Sequence, residues 1–277
     1  MKIYGVIGYP CAHSMSPVIH NAGFEALNID AKYEIFETQD LAGFIKKGGF
    51  DGLSVTMPYK QEIIRYLEQI DDATKAIGAC NCVNGTHGFN TDSYGAMVAL
   101  EEVAAIGGKN VYLLGTGGAA SAIYYGLMEE SANVTVFNRN LEEASKFMDN
   151  FGVLVKLLNE LDENFDILIN ATSCGFKSDE SCVPMEILKP GKVVMDVVYE
   201  PLETRLLRDA KAAGCTTVSG ENMLLHQAVK QFEIWTGETA PVDIMRGAIY
   251  SFLKKSAPSS SSASTISSSV GSSSFSP

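Results

Sequence analysis

Short apolar runs of strand length alternate with longer segments of helical periodicity along most of the chain. Predicted strands cover residues 2–7, 32–36, 52–55, 110–114, 134–137, 166–170, 193–196 and 216–218. Predicted helices cover residues 16–28, 39–47, 59–68, 72–77, 92–105, 119–130, 141–150, 203–213, 221–235 and 242–254, and a tight hairpin is expected within residues 78–88. Strands that alternate with helices indicate an α/β fold, with a parallel, doubly wound sheet over the middle of the chain.

The pattern ends near Lys255, after which serine dominates the composition. A segment so poor in apolar residues cannot offset the entropy lost on ordering, and we expect residues 257–277 to be a disordered tail. The whole chain has 277 residues, of which 46% are hydrophobic. This length is enough for one large domain or two modest domains, each with its own core.

The formal charge of -12 narrows the range of expected partners. An acidic chain repels phosphate backbones, which argues against nucleic acid as a partner. A small anionic substrate is still compatible with the negative net charge if local hydrogen-bond donors hold the anion. The apolar runs are too short to span a membrane and the N-terminus lacks a signal-peptide pattern, so we expect a cytoplasmic protein without membrane contact. Cys80 and Cys82 form only a Cys-x-Cys pair in a chain with four histidines, so no metal site is expected.

A glycine-rich loop lies between a predicted strand and a predicted helix. It fits the pattern Gly-x-Gly-x-x-Ala and consists of Gly115, Thr116, Gly117, Gly118, Ala119 and Ala120. In this pattern the first glycine permits a tight turn, the second lets a pyrophosphate approach the backbone, and the helix N-terminus supplies N–H donors. The motif in this strand and helix context predicts a dinucleotide site.

The end of the next strand indicates which dinucleotide binds. Proteins that bind NAD usually carry an acidic residue there for the ribose hydroxyls, whereas this chain has Asn138, Arg139 and Asn140. No carboxylate in this triplet repels a 2′-phosphate, and the Arg139 guanidinium can hold one by charge-assisted hydrogen bonds. We therefore expect NADP as the cofactor, with a solvated surface arginine as the alternative interpretation of Arg139.

Several polar clusters fall where predicted strands or loops give way to helices. Ser14 and Ser16 lie at a helix start, where their hydroxyls and free N–H groups can bind a carboxylate, although Ser16 can equally be an N-cap. Lys60 follows a strand at the edge where open α/β sheets bind ligands, but a lysine there can also face solvent. The same N-cap alternative applies to Asp92, and a surface amide is the alternative for Gln227.

These clusters occur together in an order that resembles the shikimate dehydrogenase family over nearly all of residues 1–255. The matching stretches are Gly8-Tyr9-Pro10, His13-Ser14-Met15-Ser16-Pro17 with His20-Asn21, Val55-Thr56-Met57-Pro58 with Lys60, Gly78-Ala79-Cys80-Asn81, Asn90-Thr91-Asp92 with Gly95, the glycine-rich loop, Asn138-Arg139, Asn170-Ala171-Thr172-Ser173 with Gly175, Asp196-Val197-Val198-Tyr199 with Pro201 and Thr204, and Gly220 with Met223-Leu224 and Gln227. The resemblance implies reversible reduction of 3-dehydroshikimate to shikimate with NADPH, a step of chorismate and aromatic amino acid biosynthesis.

The resemblance also implies roles for individual residues. Lys60 and Asp92 are expected to be the catalytic pair, in which protonated Lys60 donates to the oxygen that gains charge during hydride transfer. The expected substrate-binding residues are Ser14, Ser16, Thr56, Asn81, Thr91, Tyr199 and Gln227. The expected cofactor-binding residues are Gly115, Thr116, Gly117, Gly118, Ala119, Asn138, Arg139, Asn140, Val197 and Gly220.

The expected architecture has two α/β domains with a cleft between them. Residues 1–92 together with 221–256 are expected to form a substrate-binding domain, and residues 93–220 a Rossmann-like, doubly wound NADP-binding domain. Lys60 and Asp92 must then face the nicotinamide across the cleft. A monomer or a homodimer is compatible with this arrangement.

Three departures from the family pattern keep alternatives open. Cys82 follows Asn81 where a threonine is common, the segment between Asn81 and Asn90 is short, and Asn140 and Glu143 replace a common threonine and a frequent basic residue. A carboxylate at position 143 weakens the binding of a 2′-phosphate, so a quinate/shikimate dehydrogenase that uses NAD is one alternative. A methylenetetrahydrofolate dehydrogenase and a non-catalytic regulatory protein that binds the ligand are the others.

Overall fold

Two six-stranded sheets organise the computed structural model, which describes residues 1–256. The first sheet contains β1 (Lys2–Gly8), β2 (Ala31–Glu37), β3 (Gly52–Val55), β4 (Gln69–Ile70), β5 (Cys82–Asn84) and β6 (His87–Phe89). The second contains β7 (Asn110–Leu114), β8 (Asn133–Asn138), β9 (Val155–Leu157), β10 (Ile167–Asn170), β11 (Val193–Asp196) and β12 (Thr216–Val218). The serine-rich segment expected to be a disordered tail, residues 257–277, lies outside the described residues.

Helices cover the faces of both sheets and connect their strands. They are α1 (Ser16–Ala26), α2 (Leu41–Lys47), α3 (Asp72–Ile77), α4 (Asp92–Glu101), α5 (Gly118–Glu129), α6 (Leu141–Phe151), α7 (Arg205–Ala212), α8 (Gly220–Thr236) and α9 (Val242–Ser256). None of the helices within residues 1–256 combines the length and the hydropathy needed to cross a membrane.

The second sheet is entirely parallel, and its strand order is β12-β11-β10-β7-β8-β9. The order reverses between β7 and β10, which is the point where doubly wound sheets bind ligands beyond the strand ends. Alternate side chains of β7 enter two different cores: Val111 and Leu113 pack on one face, and Tyr112 and Leu114 on the other. The predicted doubly wound, Rossmann-like fold is confirmed.

The first sheet is mixed, with the strand order β2-β1-β3-β5-β6-β4. Strands β1, β2 and β3 are parallel, whereas β5 and β6 form the antiparallel hairpin that the sequence predicts within residues 78–88. Tyr4 and Val6 of β1 pack under α1, α8 and α9, while Ile7 packs on the opposite face with Leu41 of α2. The chain is therefore a two-domain α/β protein, as expected, and the exact domain limits stay a prediction.

Helices α4 and α8 pack against each other between the two sheets. Their backbones touch at Gly95, where an added Cβ would lie 2.7 Å from the Gln227 nitrogen and from the Met223 carbonyl oxygen. Met223 belongs to the core of the second sheet, whereas Leu225, two residues later, belongs to that of the first. Helix α8 therefore links the two halves of the molecule.

Two predicted helices differ from the structure. The segment predicted as a helix over residues 59–68 contains only a 3₁₀ turn, Glu62–Tyr66. The Lys60 carbonyl accepts the Cys80 N–H at 2.7 Å instead of an N–H of the same segment. The helix predicted over residues 92–105 ends at Glu101, after which Ile106 is buried in the core before β7 begins. The sequence also missed β4 and β9, which are too short to show a period.

Candidate active site

Lys60 and Asp92 form a close ion pair at the edge of the first sheet. Lys60 follows the end of β3, and Asp92 is the first residue of α4. The Lys60 Nζ lies 2.6 Å from Asp92 Oδ2, and the side chains are 26% and 13% exposed. The alternative interpretation of Lys60 as a solvent-facing lysine is therefore wrong, and a charged pair with limited access to solvent stands where the sequence places the catalytic residues.

Two buried amides hold Asp92 in place. The Asn81 Nδ2 donates to Asp92 Oδ1 at 2.8 Å and to Thr91 Oγ1 at 3.0 Å, while Asn81 Oδ1 accepts the Thr91 N–H at 2.7 Å. The Asn90 side chain accepts the Asp92 N–H at 3.1 Å and donates to the Ala79 carbonyl at 2.8 Å. Both hydrogens of the Asn81 amide are thus engaged in orienting Asp92 and Thr91.

The N-cap interpretations of Ser16 and Asp92 are wrong. Met15 and Thr91 occupy the N-cap positions of α1 and α4, and neither helix has a side-chain cap hydrogen bond. Ser16 is instead the first residue of α1, and its hydroxyl lies 3.2 Å from the hydroxyl of Ser14. The two hydroxyls therefore form a pair beside the N–H groups of a helix start, an arrangement suited to a carboxylate.

Parallel register brings the loops after β1 and β3 to one edge of the first sheet. Ile7 pairs with Val55, and the Thr56 N–H donates to the Ile7 carbonyl at 2.9 Å. The serine pair follows β1, and Thr56 and Lys60 follow β3, so all of them lie beyond the same strand ends. Tyr199 approaches from the other half of the chain, since it follows β11 yet packs against the core of the first sheet. Burial raises the pKa of the Tyr199 phenol.

Gln227 is buried in α8, so its interpretation as a surface amide is wrong. Its Nε2 donates to the Leu224 carbonyl at 2.8 Å, and its Oε1 accepts from Gln231 Nε2 at 2.8 Å. The same Gln231 Nε2 also lies 3.2 Å from the Asn81 carbonyl oxygen and 3.2 Å from Thr91 Oγ1, so its second hydrogen is shared between these two acceptors. The residues Asn81, Thr91 and Gln227, which the sequence predicts to bind substrate, are thereby joined in one hydrogen-bonded network.

The sequence missed Gln231 and the two hydroxyls behind it. The Tyr33 hydroxyl donates to Ser54 Oγ at 2.6 Å, and Ser54 Oγ donates to Gln231 Oε1 at 2.5 Å. Burial raises the pKa of the Tyr33 phenol, which therefore stays a donor. One signal was present in the sequence: Gln231 lies four residues after Gln227, so both side chains project from one face of α8.

The glycine-rich loop combines one strained position with two open ones. Gly115 has a φ of 104°, and a Cβ there would lie 3.0 Å from the Ala171 carbonyl oxygen. Around Gly117 and Gly118, by contrast, an added Cβ would meet no described atom within 4 Å. This free space lies directly over the N-terminus of α5, so the loop fits the pyrophosphate of a dinucleotide.

The loop after β8 presents an exposed arginine that already has an acidic partner. Arg139 is 76% exposed, and its Nε and Nη2 lie 3.2 and 3.3 Å from the two carboxylate oxygens of Glu143. Asn140 caps α6 by accepting the Glu142 N–H, and Asn138 Nδ2 donates to the Asn140 carbonyl at 2.8 Å. The hydrogen bonds with Glu143 raise the pKa of Arg139, which keeps its charge.

Val197 and Gly220 meet where α8 begins. A Cβ at Gly220 would lie 2.3 Å from the Val197 carbonyl oxygen, so only glycine allows this close approach. Val197 follows Asp196, which is buried and accepts hydrogen bonds from the Thr204 hydroxyl and the Asn170 amide. These contacts fix the carboxyl end of β11 near the start of the helix that carries Gln227.

Three family models match the chain in consecutive segments. Residues 6–83 match the model described as the shikimate dehydrogenase substrate binding domain. Residues 97–180 match shikimate / quinate 5-dehydrogenase, and residues 220–250 match the shikimate 5′-dehydrogenase C-terminal domain. Together these segments cover most strands of both sheets and the whole of helix α8.

Relatives match the chain over nearly its full length. Shikimate dehydrogenase (NADP(+)) of Pyrococcus furiosus is 43% identical over 265 residues, which cover 92% of this chain and 97% of the relative. A crystal structure of a shikimate dehydrogenase in complex with NADP+ superposes with a TM-score of 0.85 at 36% identity, covering 91% of this chain and 96% of that one.

Two further structures carry ligands. The shikimate 5-dehydrogenase of Thermus thermophilus, in complex with NADP(H) and shikimate, has a TM-score of 0.84 at 32% identity and covers 91% and 99% of the two chains. Quinate dehydrogenase of Corynebacterium glutamicum, in complex with NAD, has a TM-score of 0.83 at 28% identity and covers 90% and 99%. Overall shape therefore does not separate the two cofactors.

Proposed function

The chain belongs to the shikimate dehydrogenase family, and on this premise we propose that Lys60 and Asp92 catalyse the NADP-dependent interconversion of 3-dehydroshikimate and shikimate. The reaction is an oxidoreduction that serves chorismate and aromatic amino acid biosynthesis. One observation carries the proposal for the catalytic pair: the Lys60 ammonium lies 2.6 Å from the Asp92 carboxylate at the ligand-binding edge of the first sheet.

NADPH, when bound, supplies the hydride that reduces the C3 carbonyl of 3-dehydroshikimate. Negative charge develops on the carbonyl oxygen, and the protonated Lys60 stabilises this charge and donates a proton. Asp92 holds the ammonium in position and accepts a hydrogen bond from a neighbouring substrate hydroxyl. In the reverse direction neutral Lys60 accepts the proton of the shikimate hydroxyl.

The remaining polar residues at this edge bind the substrate. The hydroxyls of Ser14 and Ser16 hold its carboxylate, since they form a pair at the start of α1. Thr56, Tyr199 and Gln227 contact its hydroxyls or carboxylate. Asn81 and Thr91 line the site and orient Asp92.

The cofactor binds along the carboxyl end of the second sheet. The backbone of Gly115, Thr116, Gly117, Gly118 and Ala119 holds the pyrophosphate, and Val197 and Gly220 contact the nicotinamide end. Asn138, Arg139 and Asn140 hold the adenosine end, with Arg139 on the 2′-phosphate of NADP. The free space over Gly117 and the absence of a carboxylate within this triplet support that assignment.

The same proposal covers domain limits and cellular context. Residues 1–92 with 221–256 form the substrate-binding domain, and residues 93–220 form the NADP-binding domain. The protein acts in the cytoplasm, where a biosynthetic reductase has access to the cellular NADPH pool. A monomer and a homodimer both fit the proposal, and light scattering separates them.

The decisive experiment follows the nicotinamide absorbance band after shikimate is mixed with NADP and, separately, with NAD. Rapid reduction of NADP with shikimate supports the proposal. Turnover of quinate with NAD instead identifies a quinate/shikimate dehydrogenase, an alternative that the Arg139–Glu143 ion pair favours because it occupies the guanidinium. If the folded protein binds shikimate without turnover, it is a regulatory protein. If it turns over methylenetetrahydrofolate alone, it is a methylenetetrahydrofolate dehydrogenase.

A further inference from the structure

Gln231 is the most fully engaged polar side chain beside the candidate active site. It is 1% exposed and lies one helical turn after Gln227 in α8. Its amide contacts four groups: the Ser54 hydroxyl, the Asn81 carbonyl, the Thr91 hydroxyl and the Gln227 side chain. These partners come from β3, from the residue before β5, from the residue before α4 and from α8 itself.

A backbone carbonyl fixes the orientation of the Gln231 amide. A carbonyl oxygen can only accept, so Gln231 must direct its Nε2 toward Asn81, at 3.2 Å. The same nitrogen then faces Gln227 and Thr91, and Oε1 faces Ser54. A flipped amide would set Oε1 against the Asn81 carbonyl, two acceptors with no hydrogen between them. Burial makes such a contact costly.

This orientation also fixes the Gln227 amide. Gln231 donates to Gln227, so the atom that receives the bond is Gln227 Oε1. The Gln227 Nε2 accordingly lies toward the Leu224 carbonyl, which is again an acceptor only. Two backbone carbonyls, of Asn81 and Leu224, thus fix the orientation of both amides. Within residues 1–256 one hydrogen of Gln227 Nε2 has no partner.

The Tyr33 and Ser54 hydroxyls complete the chain of donors. Tyr33 donates to Ser54, which donates to Gln231, which donates to Gln227. Because each hydroxyl or amide in this chain accepts a hydrogen bond from the group before it, its own hydrogen is directed to the group after it. The chain begins in the core between the first sheet and α1, where Tyr33 is buried, and ends at a side chain proposed to bind substrate.

We propose that Gln231 is a positioning residue for substrate recognition, because it holds the Gln227 amide so that Gln227 offers an N–H donor to a substrate oxygen. This inference rests on the proposed function, in which Gln227 binds shikimate. Gln231 itself is covered by its own partners and reaches the substrate only through the Gln227 side chain. A substrate with a carboxylate or hydroxyl oxygen opposite the Gln227 N–H can accept its hydrogen bond. A substrate that presents only a hydrogen-bond donor there cannot.

The test compares Gln231→Met, Gln227→Met and the double variant with the wild type. Methionine keeps the length of glutamine but cannot donate. We expect Gln231→Met to raise the KM for shikimate about tenfold, the effect of one misdirected buried hydrogen bond, with the KM for NADP unchanged. Asn81 and Asn90 still hold Asp92, so kcat should stay within about threefold of the wild type. The double variant should be no worse than Gln227→Met, because Gln231 acts through that residue.

Val229→Ala is the matched control, since Val229 is buried in the same helix but packs into the core of the first sheet. It should lower the melting temperature and leave the KM for shikimate unchanged. An unchanged KM in Gln231→Met, or independent and additive effects in the double variant, would overturn the inference. Turnover of shikimate by the wild type reports separately on the proposed function, so a failure of either proposal is recognised without the other.

Discussion

The two ligand-binding edges of this molecule are built on opposite physical principles. On the substrate side, side chains from distant parts of the chain form a buried hydrogen-bonded network that includes Asp92, Asn81 and Gln231. On the proposed nucleotide side, the groups available to a ligand are backbone N–H groups at the start of α5 and an exposed arginine, Arg139. Buried side-chain hydrogen bonds therefore fix the groups at the substrate edge, whereas local backbone geometry fixes those at the nucleotide edge.

The difference teaches which changes each side tolerates. A buried network loses several partners when one member is removed, because the remaining donors and acceptors cannot reach water. An exposed guanidinium over an open loop can exchange one anionic partner for another at small cost. Substrate choice is therefore expected to be rigid in this protein, and cofactor preference easy to change.

The largest expected effect tests the catalytic pair of the substrate edge. In Lys60→Met the side chain keeps its length but loses the proton donor, and kcat should fall about 10²–10⁴-fold, the usual contribution of general acid catalysis. Reduction of NADP by shikimate measures it. Lys75→Met, which removes an exposed lysine paired with Asp72, is the control and should be neutral. If Lys60→Met retained half of the wild-type kcat, Lys60 would not be the proton donor.

The second prediction concerns the interior that supports the substrate edge. His20 is fully buried, stacks on Tyr33 with ring centroids 4.5 Å apart, and burial lowers its pKa from 6.5 to about 3. Below pH 6.5 His20 is therefore protonated in the unfolded chain but stays neutral in the folded chain, and the free energy of unfolding falls between pH 6.5 and about 3. By pH 4.5 this loss should reach about 2–3 kcal/mol.

His20→Leu should remove that part of the acid sensitivity, because leucine has no proton to gain. Denaturant unfolding at pH 7 and pH 4.5 gives the two free energies of unfolding for each protein. The exposed His87 provides the matched control, and His87→Gln should keep the wild-type dependence on pH. An equal acid sensitivity in His20→Leu and the wild type would mean that His20 is protonated in the folded state.

The third prediction separates backbone strain from ligand contact within the nucleotide edge. Gly115→Ala places a Cβ at positive φ and against the Ala171 carbonyl, and should cost about 1–3 kcal/mol of stability. Gly117 has a φ of -81° and free space around it, so Gly117→Ala should cost less than about 1 kcal/mol. It should nevertheless raise the KM for NADP, because the new methyl group occupies the space of the pyrophosphate.

Melting temperatures and KM values for both cofactors check this pair. The comparison fails if Gly117→Ala is destabilised as much as Gly115→Ala, or if it binds NADP as well as the wild type does. The first result would mean that position 117 does not accept a Cβ freely, and the second that the space over Gly117 is not where the cofactor lies.

The smallest expected effect tests the exposed arginine. Glu143→Gln removes the carboxylate that pairs with Arg139 and repels a 2′-phosphate. The ratio of kcat/KM for NADP to that for NAD should rise about threefold, as expected for a screened surface interaction. Glu142→Gln, which removes the neighbouring charge outside the ion pair, should change the ratio less. An unchanged ratio in Glu143→Gln would show that Glu143 does not weaken the binding of a 2′-phosphate.

Much of the nucleotide half was predictable because its signals are local. The strand, glycine-rich loop and helix that surround Gly115 are adjacent in sequence, and each has its own period or turn residue. The substrate half was harder to predict from its residues. Asp92 looked like a helix cap, and Lys60 lay in a segment predicted as a helix, because the contacts that overrule these two interpretations come from residues far away in the chain. Ser16 also looked like a cap, but there the helix begins one residue away from the predicted position.

The sequence by itself determined the alternation of strands and helices, the two-domain α/β class and the residue types available for chemistry. Tertiary structure decided which of those residues act together. Only packing of α8 against α4 brings Gln231 to Asn81 and Thr91, residues 150 and 140 positions away. The physical reason is that periodicity reports on the burial of a face, whereas a hydrogen-bond partner depends on which other face is packed against it.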